Sequence, residues 1–541
     1  MEMHFATVYE CIADLDPGLT ALVDDVNRRS WGEYDRRAAC LANFFQQAGL
    51  KKDAKVALYT YNRNEYLEAQ LAAFKMRAIP VNVNYRYLDD ELVYLLNDTD
   101  AEVVIFEGCF AERLMHIKPQ ISGLHTYVQV NDGHPRMPGA YDYEEIIAAH
   151  EPAPRIQRSE DDIYMLYTGG TTGMPKGVMY RMGVFFRNML KGYDFCGLER
   201  PKTTEELIEK VAMRRREGHF PAGLPASPLM HGAGMWGAVF MPGNLGAKTV
   251  CVSRHSFDAD AIWQAVEREK VTDMTIVGDV FGKPMIDALK RAEAAGKPYD
   301  VSSVERILSS GVMWTADVKA GFLAYMDALL IDAMGSSEGS MARQLLRRGG
   351  NPTTAEFELN DKVVVLNEND QLVEPGSGDV GMLAVQEGIP FAYYKDSEKS
   401  AKTFRRVNGV DYCFPGDFAT VEADGKITLL GRGSVCINTG GEKVFPEEVE
   451  EVIKAMPGIK DCLVVGLPDS KYGERVTALV TCQAGLPTSE QGIIDQAHKN
   501  LSGYKIPKQV FMVEMILRGP NGKADYKWAK QQAAALSEEI A

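Results

Sequence analysis

Between Tyr167 and Val178 the chain reads Tyr-Thr-Gly-Gly-Thr-Thr-Gly-Met-Pro-Lys-Gly-Val, four glycines and three threonines around one lysine. Glycines let backbone N–H groups turn toward an anion, threonine hydroxyls add neutral donors, and Lys176 brings a compact positive charge. The segment therefore suits a phosphate chain. It is not a Walker loop, because no Gly-Lys pair is followed by Ser or Thr. Further on, Asp332-Ala-Met-Gly-Ser-Ser-Glu338, Phe414-Pro-Gly-Asp417 with Gly431-Arg432, and Arg518-Gly-Pro-Asn-Gly-Lys523 set charged side chains beside glycines. Taken alone, Glu338 suits a helix cap or an exposed carboxylate, Gly416-Asp417 a turn, and Lys523 an exposed loop lysine.

With these blocks in this order, the sequence resembles the adenylate-forming superfamily of acyl-CoA synthetases, luciferases and peptide-synthetase adenylation domains. The resemblance covers most of the chain. It implies a phosphate-binding loop of Thr168, Gly169, Gly170, Thr171, Thr172, Gly173 and Lys176. A nucleotide segment of Gly335, Ser336, Ser337 and Glu338 follows, with Glu338 and Thr168 as magnesium ligands. Asp417 is implied as acceptor for the ribose hydroxyls and Arg432 as a fork donor to ribose or phosphate. Lys523 is the implied catalytic lysine: a carboxylate attacking an α-phosphate brings two anions together, and an ammonium between them lowers that barrier. Two departures stand out, Met334 where relatives place an aromatic against adenine, and Ser337 where they have threonine.

The same resemblance places His231, in a Pro-x-x-His block, near the acyl–phosphate junction. It lines a coenzyme A channel with Gly440 and Gly441, and sets the hinge of a swinging small domain at Ser434. Gly232-Ala-Gly-Met-Trp-Gly237 matches the dinucleotide fingerprint formally, but Pro225 and Pro228 make the preceding stretch a poor central strand, with no tight strand-helix-strand unit expected around it. Residues 232–241 carry no acidic side chain, so an α-ammonium group would lack a partner and an apolar acid is favoured. Met235 and Trp236 are candidate walls of the acyl pocket, as are Gly278 and Gly311, whose small size leaves room for a tail. The details most resemble bacterial fatty-acid and steroid-side-chain CoA ligases.

The implied reaction is AMP-forming: acid and Mg-ATP give acyl-adenylate and pyrophosphate, and coenzyme A then takes the acyl group. A stand-alone adenylation enzyme loading a carrier protein, a luciferase-like oxygenase and a non-catalytic nucleotide-binding regulator share the same blocks. Mg2+, ATP and coenzyme A are the expected co-substrates, with a small carboxylic acid as the remaining partner. Homo-oligomerisation is open.

These residues need elements to hold them. Apolar runs at 55–59, 101–106, 249–252, 273–277 and 306–308 alternate with helical patterns such as 64–76, the signature of strand-helix-strand crossovers. An α/β protein is predicted: a large N-terminal body of α/β subdomains over 1–432 and a small mobile C-terminal α+β domain over 433–541. The charged stretch 198–218 reads as an inserted surface helix with a solvated basic face. A length of 541 residues with 45% hydrophobic and 25% charged residues fits a globular protein with a large core. A net charge of -16 disfavours nucleic acid as a partner. Nine cysteines without a Cys-x-x-Cys pair fit reduced thiols, and with no signal-like or 18-residue apolar segment a cytoplasmic protein without integral membrane association is expected.

Overall fold

The structure, a computed structural model, describes the chain except Val26, 169–173, Met313, Ala355, 440–441, 470–471, 484–487, Ser502, 519–523 and Ala541; the side chains of Arg432, Ser434, Asn438, Lys443, Glu539 and Ile540 are also outside the description. It is α/β, as the alternation of apolar runs and helical patterns predicts. Packing divides it into two units. The first comprises Met1–Gly169, Met174–Thr354 and Gln386–Phe404, and the second includes Ala355–Val385 and Arg405–Ala541.

In the first unit, the strands Thr20–Val23, Lys248–Val250, Ala222–Pro225, Asp273–Ile276, Arg306–Ser310 and Leu329–Ser336 run parallel to their neighbours in that order. The antiparallel strand Gly339–Leu346 pairs with the last of them. Helices Ala259–Glu269, Gly278–Ala294 and Ala316–Tyr325 cover this sheet through a core that includes Trp263, Met285, Trp314 and Phe322. Each fully buried side chain of this size contributes about 1.5–3 kcal/mol. A second sheet carries Ile79–Asn82, Lys55–Tyr59, Ala101–Glu107 and Thr126–Val130 in parallel, and its apolar runs are nearly continuous because both faces are buried. A third, antiparallel sheet sets Ile163–Thr168 beside Lys176–Arg181 and the short Ala392–Tyr393.

Two details depart from the sequence reading. The proline-bearing stretch 226–230 is not strand, as expected, but Pro225 itself closes the central strand Ala222–Pro225, at the last position of its ladder. A parallel strand-helix-strand unit does frame Gly232–Gly237, since Ala222–Pro225 and Lys248–Val250 pair directly. The glycines there serve packing: a Cβ on Gly234 would lie 2.5 Å from the Pro228 carbonyl oxygen, and one on Gly237 2.6 Å from the Thr275 methyl. The charged insertion does form a helix, Thr204–Arg216, capped by the Thr203 hydroxyl. Its basic face is only partly solvated, because the Arg215 guanidinium nitrogens are shielded from solvent, beside Gly246.

In the second unit, Glu356–Leu359, Ile427–Arg432, Asp417–Val421, Gly381–Val385, Val410–Cys413 and Phe404–Val407 form an antiparallel ladder. The C-terminal α+β part is built on the long hairpin Ile459–Asp469 and Gly473–Cys482, with Gln509–Met512 added in parallel and helices Pro446–Lys454, Glu490–Asn500 and Tyr526–Ile540 alongside. The 432/433 position lies inside this unit: the Phe418 and Phe445 rings sit 5.5 Å apart across it.

Candidate functional site

Open parallel sheets bind ligands outside the carboxyl ends of their strands, where the loops leave toward alternating helices. His231, Gly278, Gly311 and the 335–338 segment all fall there. They follow the neighbouring strands ending at Pro225, Ile276, Ser310 and Ser336. Gly278 donates its N–H to the Ser309 hydroxyl at 2.9 Å, and Asp279 accepts from the backbone N–H and hydroxyl of Thr315, both at 2.9 Å. The two small residues thus flank one clasp. Both have positive φ, +50° and +100°, so glycine suits the backbone there whatever fills the space beyond.

His231 is half-buried and N-caps the short helix Gly232–Met235, which runs directly into a π-helical turn, Trp236–Phe240. Met235 is buried in the main core, while Trp236 is half-buried and donates its indole N–H to the Tyr164 hydroxyl at 2.9 Å. The loop before His231 is held by two asparagines that the sequence reading did not single out. Asn62 donates to the carbonyls of Pro225 and Ser227 and accepts from Leu229 N at 2.8 Å. Asn82, buried at the end of its strand, donates to the carbonyls of Tyr167 at 2.8 Å and Met230 at 2.7 Å, and accepts from Tyr167 N at 2.8 Å. One amide therefore ties the base of the glycine-rich segment to the residue before His231.

Thr168 and Lys176 are cross-strand partners, so the hairpin register sets them side by side at the mouth of that segment. Gly169, Gly170, Thr171, Thr172 and Gly173 lie outside the described residues. Lys176 Nζ lies 3.0 Å from Asp396 Oδ2, and this contact raises the lysine's pKa. Asp396 itself is held below the usual carboxylate range, first by the Lys399 backbone N–H and then by Lys176.

Glu338 follows the bulged end of the strand Leu329–Ser336, with its N–H on the Ser336 hydroxyl at 3.2 Å. Tyr393 donates to Glu338 Oε1 at 2.7 Å, and Tyr180 donates to the Ser337 carbonyl at 2.9 Å. Met334 is buried in the same strand. Beneath it, Asp332 meets Lys319 at 2.6 Å, and burial pushes the Asp332 carboxyl up to about 6. Gly335, Ser336, Ser337 and Glu338 are thus braced from the three-stranded sheet. Tyr393 and Asp396 were not legible beforehand, because neither stands in a glycine-rich block.

In the second unit, Asp417 and Arg432 are directly opposed in an antiparallel pair, and Asp417 is buried. Ser434 lies in the 3-10 turn Gly433–Val435, its side chain outside the description, as are Gly440, Gly441 and Lys523. The segment bearing Lys523 is flanked by an Arg518–Ala524 bridge, and Arg518 grips Asp461 with both Nε and an Nη at 2.7 and 2.6 Å.

Among the described residues, Glu107, Cys109 and His255 bring donor atoms within 4.8 Å of one another. Arg63 already stands 3.2 Å from the Glu107 carboxylate, and burial pushes the Cys109 thiol up to about 12, so this grouping has its cation and lacks a ready thiolate. No described helix is long and apolar enough to cross a membrane, and all nine cysteines are free.

Comparison with known proteins bears on the family and the fold. A 3-oxocholest-4-en-26-oate–CoA ligase of Rhodococcus rhodochrous is 38% identical over 98% of this chain and 96% of its own. A medium/long-chain-fatty-acid–CoA/3-oxocholest-4-en-26-oate–CoA ligase of Mycolicibacterium smegmatis is 37% identical over the same shares. Among solved structures, the anthranilate CoA ligase AuaEII in complex with anthranoyl-AMP shares the fold at TM-score 0.83 and 20% identity, over 99% of both chains. ATP-bound MatB from Rhodopseudomonas palustris does so at 0.78 and 22%, over 97% of this chain and 98% of its own. Residues 11–390 match the AMP-binding enzyme family and 448–523 its C-terminal domain, so this chain belongs to the AMP-binding enzyme family.

Proposed function

We propose that this protein is an AMP-forming acyl-CoA ligase for an apolar carboxylic acid, a medium- or long-chain fatty acid or a steroid side-chain acid. The observation that carries the reading is full-length similarity to CoA ligases with those substrates in their names, joined to a lysine and a glutamate braced beside the carboxyl ends of a parallel sheet. In the first half-reaction a carboxylate oxygen attacks the α-phosphorus of ATP. The P–O bond to the β-phosphate breaks, giving acyl-AMP and pyrophosphate. In the second, the coenzyme A thiolate attacks the acyl carbon and AMP leaves with the bonding pair.

Lys176, with Thr168 and the 169–173 segment, binds the phosphates, and Lys523 stands between the two anions in the first step. Glu338 and Thr168 offer hard oxygen donors, which fit Mg2+; Tyr393 takes only one carboxylate oxygen and leaves the other for the ion. When bound, the ion neutralises phosphate charge. Asp417 accepts from the ribose hydroxyls and Arg432 donates beside it, while His231 lies at the acyl–phosphate junction. Met235, Trp236, Gly278 and Gly311 border the acyl site, and no acidic side chain in 232–241 would pair an α-ammonium. A small domain beginning at 433 swings about Ser434 to bring Gly440 and Gly441 to coenzyme A, in a cytoplasmic enzyme.

The test is pyrophosphate release from Mg-ATP with acids from acetate through long fatty acids to steroid side-chain acids, with and without coenzyme A. Release selective for an apolar acid, with coenzyme A-dependent AMP and acyl-CoA, is expected. Release with no coenzyme A turnover would point to a carrier protein as acceptor, and no release with any acid would overturn the reading.

A further inference from the structure

Lys176 and Glu338 are both held by one short stretch of chain. Ala392–Tyr393 adds a third strand to the hairpin bearing Lys176, pairing Tyr393 with Val178, and Tyr394 N donates to Gly177 O at 2.7 Å. The stretch then turns into the helix Ser397–Thr403, capped by Asp396 through Lys399 N at 3.0 Å. Ser400 closes the turn, accepting from Tyr393 N at 2.9 Å and donating to Asp396 O at 2.5 Å. Tyr393 is buried, its ring lies under Lys399 Nζ at 4.3 Å, and its hydroxyl points at Glu338 Oε1. Three residues on, Asp396 faces Lys176.

We propose that this turn is the positioning element for both charges, with a separate task for each end. Tyr393 fixes the rotation of the Glu338 carboxylate, so that the oxygen it does not engage is aimed at a divalent cation. Asp396 is the resident counter-ion of Lys176, and the nucleotide's phosphates must displace it to bind. The inference rests on the roles proposed for Glu338 and Lys176. Its content is that cation affinity and phosphate affinity are tuned by two different side chains of one turn.

Outer partners of a metal ligand typically control about 10–100-fold of metal affinity. Tyr393→Phe keeps the ring and removes the hydroxyl, so it should raise about ten-fold or more both the Mg2+ concentration for half-maximal pyrophosphate release and that at which Mg2+ with ATP raises the thermal unfolding temperature, with the KM for ATP at saturating Mg2+ nearly unchanged. Asp396→Asn keeps shape and removes charge. A half-exposed ion pair is worth up to ~1 kcal/mol, so this variant should lower the KM for ATP by up to about five-fold and leave the Mg2+ requirement unchanged. A purely structural turn would instead lower thermal stability or kcat in both variants without separating the two constants, and that result overturns the inference. If Tyr393→Phe does not fold, the Asp396→Asn KM decides: a rise or no change overturns the displacement role. Glu338→Gln and Lys176→Ala measured alongside keep the two levels apart. If those two retain full activity, the proposed roles fail; if they lose it while Tyr393→Phe and Asp396→Asn behave as wild type, only this inference fails.

Discussion

The two units hold their charged residues by opposite means. In the first, each contact joins segments remote in sequence: Asn82 reaches Tyr167 and Met230, Tyr393 reaches Glu338, and Asp396 reaches Lys176. In the second, Arg518 and Ala524 pair in a short bridge, and Asp417 is set opposite Arg432 by simple hairpin register. Remote bracing fixes a site that must be ready before substrate arrives. Local pairing needs no contact with distant segments. Removing the Asn82 brace should therefore change stability and chemistry together, and removing Lys523 should separate them.

The sharpest separation is expected at Lys523. Lys523→Ala should lower the rate of acid-dependent pyrophosphate release by about 10²–10³, the range for removing one transition-state donor, with no change in thermal unfolding. A parallel loss of stability would break the contrast. Asn82→Ala should do the reverse, leaving Tyr167 N and the Tyr167 and Met230 carbonyls buried without their partner. At about 1–3 kcal/mol for an orphaned group, a loss of about 3 kcal/mol in urea unfolding is expected, together with a fall in ATP affinity.

A third expectation concerns acid. His4 is buried, accepts from Ala6 N at 3.1 Å, and is pushed down to about 3 by burial and by Arg158 and Arg77. Its folded pKa lies below the unfolded value, so its contribution is fully present above about pH 6.5 and is lost as pH falls toward 3, at about 1.4 kcal/mol per pH unit. In His4→Asn, which can still cap, the stability slope between those limits should flatten by that amount; an unchanged slope would show that His4 protonates freely in the folded protein. The smallest effect is expected at Arg518→Ala, which removes a mostly buried, two-bonded pair with Asp461 and should cost about 1.5 kcal/mol in the same unfolding measurement.

The fold class and the positions of several strands were legible because buried parallel strands leave continuous apolar runs, as at 55–59 and 273–276. The glycine-rich segment stood out by residue types alone, with four glycines, three threonines and a lysine in twelve positions, but its place between two antiparallel strands came only from the structure. What failed was reading context at single residues. Pro225 argued against a central strand, yet a proline at the last position of a strand forfeits little. Around Gly232-Ala-Gly-Met-Trp-Gly237 the strand-helix-strand frame was missed, although the dinucleotide fingerprint itself was rightly discounted, since Gly234 and Gly237 meet a carbonyl and a methyl too closely for any Cβ.

By itself, then, the sequence determined which side chains are available for chemistry and which local elements carry them, because residue type, spacing and periodicity act within a few turns of chain. Only the tertiary structure decided which of those side chains are held and by what. Asn82, Tyr393 and Asp396 become partners of Tyr167, Glu338 and Lys176 through sheet pairing across 85, 55 and 220 residues, and nothing in local spacing records a contact made at that distance.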